Sequence, residues 1–174
     1  IGLATDPDAD RLAIVDNKGL PIGEESTLIL ALESYLKYYK DSQTVVTNLS
    51  TSMGVDAICS KYNSEVIRSS VGEINVVELM KKKKAVIGGE GSGGIIFPDS
   101  HYGRDALVGI ALFLTYLSIM NCSAKELRDS LPNYYMLKEK ISILNELKFD
   151  IDMYIRDQIL SCKRNKNTFS LIDG

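Results

Sequence analysis

Three carboxylates alternate in Thr5-Asp6-Pro7-Asp8-Ala9-Asp10-Arg11, immediately ahead of the apolar segment Leu12–Val15. Without a counter-charge these acids repel one another. In a regular strand they would sit at intervals of roughly 6.5 Å on one face, too far apart to share an ion bonded at about 2.0–2.1 Å. Pro7 favours a curled loop instead, which turns the oxygens of Asp6, Asp8 and Asp10 toward Mg²⁺, a hard cation that takes carboxylate, phosphate and water as ligands. Arg11 adds a planar fork suited to a phosphate. An EF-hand reading fails further along, where Arg11 stands at the required glycine and Asn17 at the required bidentate glutamate. Isolated aspartates ordinarily cap backbone groups in solvated turns. Three alternating acids followed by arginine favour the metal reading over that plainer one.

The second chemical segment is Gly88-Gly89-Glu90-Gly91-Ser92-Gly93-Gly94, which follows the apolar run Ala85-Val86-Ile87. A polar loop is thereby expected at the carboxyl end of a strand, where ligands bind in open α/β sheets. Gly89, Gly91 and Gly94 formally satisfy G-x-G-x-x-G, but Ile95-Ile96-Phe97-Pro98 continues as strand, so a dinucleotide site would lack its helix terminus. A nucleotide P-loop is excluded because no Lys-Ser or Lys-Thr follows. If the loop bends, Glu90 and Ser92 converge and offer an acceptor and a hydroxyl to vicinal sugar hydroxyls. The plainer alternative is a glycine-rich hairpin with Glu90 exposed. His101 is the sole histidine. It supports no triad without a nucleophile motif and stands as a secondary substrate-contact candidate, as does Glu73 in Ser69-Ser70-Val71-Gly72-Glu73.

The elements around these segments alternate. Strands are expected at Leu12–Val15, Thr44–Thr47, Glu65–Ile67, Ala85–Gly88 and Ile95–Phe97. Helices are expected at Glu24–Tyr39, Met53–Tyr62, Asn75–Lys83 and Asp105–Met120, the last capped by Asp105 and burying Leu107, Ile110, Ala111, Leu114 and Leu117. This beat predicts an α/β fold with a mainly parallel or mixed sheet flanked by helices. Ser123 and Glu126 have the spacing of a capping box. After Pro132, an extended Tyr134–Ile143, a helical Ile151–Leu160, a polar loop at Lys163–Asn167 and a strand at Phe169–Ile172 offer too little apolar surface to fold alone.

With 174 residues, 45% of them hydrophobic and 25% charged, the chain can bury a core, which excludes a disordered tail or a coiled coil. A net charge of −3, and a Lys81–Lys84 run without stacking aromatics, exclude nucleic acid as the expected partner. No apolar run approaches the ~20 residues of a membrane span. Three scattered cysteines fit neither a disulfide framework nor a zinc site, so reduced thiols in the cytoplasm are expected.

In order and spacing, Asp6-Pro7-Asp8-Ala9-Asp10-Arg11, Ser70-Val71-Gly72-Glu73, Gly89-Glu90-Gly91-Ser92-Gly93-Gly94 and His101-Tyr102-Gly103-Arg104-Asp105 resemble the α-D-phosphohexomutase family. The resemblance implies a piece of a four-domain parent: residues 1–22 ending a second domain, 23–132 forming a sugar-binding third domain, and 133–174 opening a phosphate-binding fourth. It implies that Asp6, Asp8 and Asp10 bind one Mg²⁺ and that Arg11 contacts the phosphate being transferred. Glu90 and Ser92, flanked by Gly89 and Gly91, would hold a phosphosugar. The implied reaction interconverts hexose 1-phosphate and 6-phosphate through a phosphoserine and a hexose 1,6-bisphosphate, with the serine on a part of the parent outside this chain. The departures are Pro7 and Ala9 where glycines are frequent, Gly94 where histidine is common, Glu73-Ile74 where other pairs occur, and no basic residue in Asn48–Thr51. The general acid/base, the preferred hexose and the oligomeric state stay open. A noncatalytic Mg²⁺-dependent phosphosugar-binding module and a metal-dependent sugar phosphatase are the alternative functions.

Overall fold

Adjacent β-branched residues that face opposite ways set the layers of this protein. In the computed structural model, which describes residues 1–39, 42–132, 134–137, 153, 156 and 157, the order is β1 (Gly2–Thr5), β2 (Leu12–Val15), α1 (Glu24–Tyr38), β3 (Thr44–Asn48), α2 (Gly54–Lys61), β4 (Glu65–Ser69), α3 (Glu73–Lys83), β5 (Ile87–Glu90), β6 (Gly94–Phe97), β7 (His101–Arg104), α4 (Ala106–Met120) and α5 (Ala124–Ser130). Val45 packs with Leu28, Leu32, Val55, Ile58 and Ile95 on one face of the sheet. Its neighbour Val46 packs with Val76, Met80 and Ile96 on the other. Helices therefore cover both faces, and side chains alternate as strand geometry requires.

The sheet runs β4-β3-β5-β6-β7. β3 pairs in parallel with β4 and β5, whereas β5–β6 and β6–β7 are antiparallel, so the sheet is mixed. β1 and β2 form a separate antiparallel hairpin in register from Gly2 opposite Val15 to Thr5 opposite Leu12. Its buried Leu12 and Ile14, with Ile22, pack against Leu30, Phe113, Tyr116 and Leu127. Burying each such side chain is worth about 1.5–3 kcal/mol.

Several expectations need correction. β1 and β7 are strands where the sequence predicts no element, and β5 begins two residues later than expected and runs into the glycine segment. The long helix α4 is turned about its axis: it buries Ala106, Gly109, Phe113 and Tyr116, while Leu107 and Leu114 are exposed. An almost uniformly apolar helix gives periodicity nothing to choose by. The choice falls to close approach, since a Cβ at Gly109 would lie 2.5 Å from Ile95 Cδ1. The expected caps are present: Asp105 accepts the Leu107 and Val108 amides, and Ser123 and Glu126 form the capping box.

Residues 1–135 form one compact unit and 136–173 a second. In the second, Met153, Arg156 and Asp157 are helical, within the expected helix 151–160; residues 134 and 135 of the first unit and 136 and 137 of the second lie in neither helix nor strand. The remainder of the expected tail elements, with Cys162, lies outside the described residues. Cys59 and Cys122 are free thiols, and burial pushes Cys59 up to about 12. No single helix among the described residues is long and apolar enough to cross a membrane.

Asp16 ties the β1–β2 hairpin to α5. Its Oδ1 accepts the Lys18 and Leu20 amides at 2.7 and 3.0 Å, and its Oδ2 accepts from Arg128 Nη1 at 2.5 Å. Burial opposes ionisation of this carboxyl, but the two amides and the Arg128 charge prevail and lower its pKa. A lowered folded pKa adds stability above the unfolded value and loses it as pH falls through the folded one. Asp16→Ala is therefore expected to lower the urea midpoint at pH 7. The gap from the unaltered chain should close as pH drops below about 4, where unfolded aspartate itself protonates. Denaturation series at pH 7 and pH 3 check this.

Candidate functional site

Pro7 and the residues after it curl the acidic segment as anticipated. The Ala9 amide donates to Asp6 O at 3.0 Å, and Ala9 adopts φ +56°, a conformation side chains rarely take. Asp6 is the keystone of this turn: Oδ1 accepts the Asp10 and Arg11 amides, both at 3.1 Å, and Oδ2 accepts Arg11 Nε at 2.6 Å. One oxygen each from Asp6, Asp8 and Asp10 lie within 4.8 Å of one another. Burial raises the cost of charging Asp6, yet its bonds from Arg11 outweigh that and hold it at about 2. Asp10 moves the other way. Burial, aided by Asp6 and Asp8 and opposed by Arg104, raises its pKa. Asp10 Oδ1 is buried without a hydrogen-bond partner, 3.4 Å from Arg11 Nε. Clustered hard oxygens, one of them buried and lacking a donor, fit a small divalent cation.

The glycine segment is a hairpin, in which Gly88, Gly89 and Glu90 belong to β5 and Gly94 opens β6. Glu90 is not exposed as the plain hairpin reading expected; it is 6% exposed. Its Oε1 accepts Asn48 Nδ2 at 2.6 Å and its Oε2 accepts Arg104 Nη1 at 2.8 Å. Asn48 Oδ1 in turn accepts Thr51 Oγ1 at 2.8 Å, and Thr51 Oγ1 accepts the Gly91 amide at 3.0 Å. Arg68 pins this stretch after β3 by donating to the carbonyls of Asn48 and Thr51. Glu90 is thus held in a built polar network.

The acidic turn and the hairpin meet. The Leu12 amide donates to Gly93 O at 3.1 Å, and Ser92 shares a cavity of about 300 Å³ with Thr5, Asp6, Arg11 and Glu24. Arg104, at the end of β7, joins them: its guanidinium pairs with Asp10 and Glu90, and its Nε lies 3.3 Å from Glu73 Oε2. Glu73 Oε1 also accepts the Arg104 amide at 2.9 Å. Glu73 is therefore drawn into the network, whereas His101 is half exposed and pairs with Asp105 at 3.0 Å. From sequence, Arg104 stands in the His101–Asp105 motif with no role of its own, and Asn48–Thr51 is notable only for lacking a basic residue. Their position at the carboxyl end of β3, beside the glycine strand, was the available signal.

Residues 23–135 match the family described as phosphoglucomutase/phosphomannomutase, alpha/beta/alpha domain III. The chain belongs to this family. It is 35% identical over 144 residues to the phosphoglucosamine/phosphogalactosamine mutase of Sulfurisphaera tokodaii, covering 82% of this chain and 32% of the relative. It is 34% identical over 155 residues to the phosphoglucosamine mutase of Methanocaldococcus jannaschii, covering 89% and 34%. The chain thus spans about a third of the length of these curated relatives. Among solved structures, a phosphohexomutase-type fold is shared with a putative phosphomannomutase from Thermus thermophilus at TM-score 0.68 and 24% identity, over 73% of this chain and 29% of that one. An N-acetylglucosamine-phosphate mutase of the α-D-phosphohexomutase superfamily aligns at TM-score 0.61 and 15% identity, over 94% and 40%.

Two hairpin glycines separate backbone from side-chain constraint. A Cβ at Gly89 would lie 2.2 Å from the carbonyl oxygen of Gly94, which is backbone and cannot yield without breaking the β5–β6 pairing. A Cβ at Gly91 would lie 2.1 Å from the Glu25 carboxylate, the movable end of a side chain that accepts the Ser52 amide at 2.9 Å. Gly89→Ala is expected to cost about 3 kcal/mol or more, as overpacking against backbone does. Gly91→Ala should cost about 1 kcal/mol, the worth of the displaced hydrogen bond. Chemical denaturation should also show that Gly91→Ala adds almost nothing in an Glu25→Ala background.

Proposed function

We propose that this chain is the metal- and sugar-binding portion of a Mg²⁺-dependent phosphohexose mutase acting in the cytoplasm. The substrate class is a hexose phosphate, with an amino sugar favoured because relatives from Sulfurisphaera tokodaii and Methanocaldococcus jannaschii carry phosphoglucosamine mutase names. The observation that carries the reading is the convergence of Asp6, Asp8 and Asp10 beside a cavity also lined by Arg11 and Ser92. In this reading the three aspartates hold Mg²⁺, which when bound offsets negative charge on a phosphoryl group in transfer. Arg11, tied to Asp6 through Nε and half exposed, presents the rest of its fork to a phosphate. Ser92 offers a hydroxyl at the cavity wall. Glu90, with Asn48 and Arg104 fixing its two oxygens, sets the position of the hairpin that carries Ser92 and accepts from a sugar hydroxyl when one of those partners yields. Interconversion of 1- and 6-phosphates through a phosphoserine and a hexose 1,6-bisphosphate draws on a serine elsewhere in the parent protein.

Two measurements test this. Titration calorimetry with Mg²⁺ should show an affinity that falls about tenfold or more in Asp8→Ala, since even outer-shell partners of metal ligands cost 10–100-fold. Unchanged affinity overturns the metal assignment. A chimera with this chain in place of the matching third of the Methanocaldococcus jannaschii relative should isomerise glucosamine 6-phosphate given a catalytic amount of the bisphosphate. Phosphate release without isomerisation would mark a phosphatase, and binding without either activity a noncatalytic module.

A further inference from the structure

Asp10 divides its two oxygens unequally. One is taken by the Arg104 guanidinium, and the other is buried without a donor. Arg104 is divided in the same way. It reaches Glu90 with good geometry, but its buried Nε faces Glu73 Oε2 at 3.3 Å without completing a hydrogen bond. A buried donor left unmade is costly. A small rotation of the guanidinium away from Asp10 would let it complete that bond.

Two features make such a rotation possible without moving the backbone. The Arg104 amide is fixed by Glu73 Oε1, so β7 stays in place. The aliphatic stem lies across Gly94, where a Cβ would come within 2.3 Å of Arg104 Cδ, so the missing side chain is what leaves the stem its room. A cation entering the acidic turn adds positive charge against the same carboxylate that Arg104 neutralises, and like charges sharing one partner compete for it.

We propose that Arg104 is the resident counter-cation of Asp10, displaced by an arriving divalent cation, so that filling the acidic turn swings the guanidinium onto Glu90 and Glu73. The inference rests on the metal reading of Asp6, Asp8 and Asp10 and deepens it. Arg104 is then a positioning residue that links the state of the metal turn to the hairpin carrying Glu90 and Ser92.

Competition gives a sign opposite to that of architectural support. Mn²⁺ binding to the full 174-residue chain, followed by electron paramagnetic resonance, should be about fivefold tighter in Arg104→Gln, the lower end of usual coupling between sites. Arg104→Lys, which keeps the charge but not the fork, should bind less tightly than Arg104→Gln. Glu90→Gln leaves Asp10 the stronger of the remaining partners, and should weaken Mn²⁺ binding in the presence of Arg104 but not alongside Arg104→Gln. Equal or weaker binding in folded Arg104→Gln overturns the proposal, as does an identical Glu90→Gln effect in both backgrounds. Should Arg104→Gln fail to fold, Glu90→Gln decides, and unchanged affinity there overturns it. Failure of the unaltered chain to bind Mn²⁺ removes the metal reading itself, an outcome distinct from binding with the wrong response to Arg104.

Discussion

Charge balance around Arg104 is the constraint on which the site depends. Carboxylates arrive from the acidic turn (Asp10), the start of α3 (Glu73) and the end of β5 (Glu90), and all three converge on one guanidinium. Asp6 engages a second guanidinium, that of Arg11. Such a concentration of acids within a partly buried site is unstable unless each group is paired or hydrogen-bonded. Most are: Asp6 holds two amides and an arginine, and Glu90 holds an amide group and an arginine. Asp10 is only half satisfied: Oδ2 pairs with Arg104, while Oδ1 is buried without a hydrogen bond. Arginine suits the central position better than lysine, because its planar fork reaches three acceptors in fixed directions.

The fold creates this convergence by departing from the parallel pattern. A sheet of β-α-β units would send the chain from the end of β5 into a helix and away from the site. Here Gly91, Ser92 and Gly93 turn it straight back into antiparallel β6, and β7 returns again on the far side of β6, from where the long Arg104 side chain reaches back to Glu90. Gly93, at φ +88°, presents its carbonyl to the Leu12 amide, so the hairpin is fastened to the chain immediately after the acidic turn. That bond places a phosphate-suited arginine and a hydroxyl on one cavity.

Much of this was legible in the sequence, for identifiable reasons. The acidic turn was readable because proline and alternating aspartates have few stable arrangements as a strand. The core helices α1 and α2 were readable because their apolar residues recur at helical spacing. α4 was not, because a helix apolar on nearly every side carries no phase; the buried face was chosen by the small residues Ala106 and Gly109, which admit the sheet. β7 was missed because His101-Tyr102-Gly103-Arg104 lacks the apolar alternation of a strand; it forms one only because β6 offers an edge. Arg104 acquires its role from three partners distant in sequence, and no local pattern reports that. Burial of Glu90 is hidden for the same reason, since its partners Asn48 and Arg104 lie 42 and 14 residues away.

Gly94 and Arg104 are best understood as one feature. A Cβ at Gly94 would lie 2.3 Å from Arg104 Cδ and 3.0 Å from its Cγ, so any side chain there would occupy the space of the arginine stem. A histidine at position 94 and Arg104 in its present place are therefore mutually exclusive on steric grounds. They also differ in chemistry: histidine titrates near neutrality and moves protons, whereas arginine stays charged throughout the physiological range. A site built with Gly94 and Arg104 therefore gains a fixed positive charge between the acidic turn and the glycine hairpin, and gives up a proton carrier at that point. His101 does not replace it, since its ring is paired with the Asp105 cap at the head of α4. Position 94 of this chain therefore offers room for a fixed neighbouring charge and no titratable group of its own.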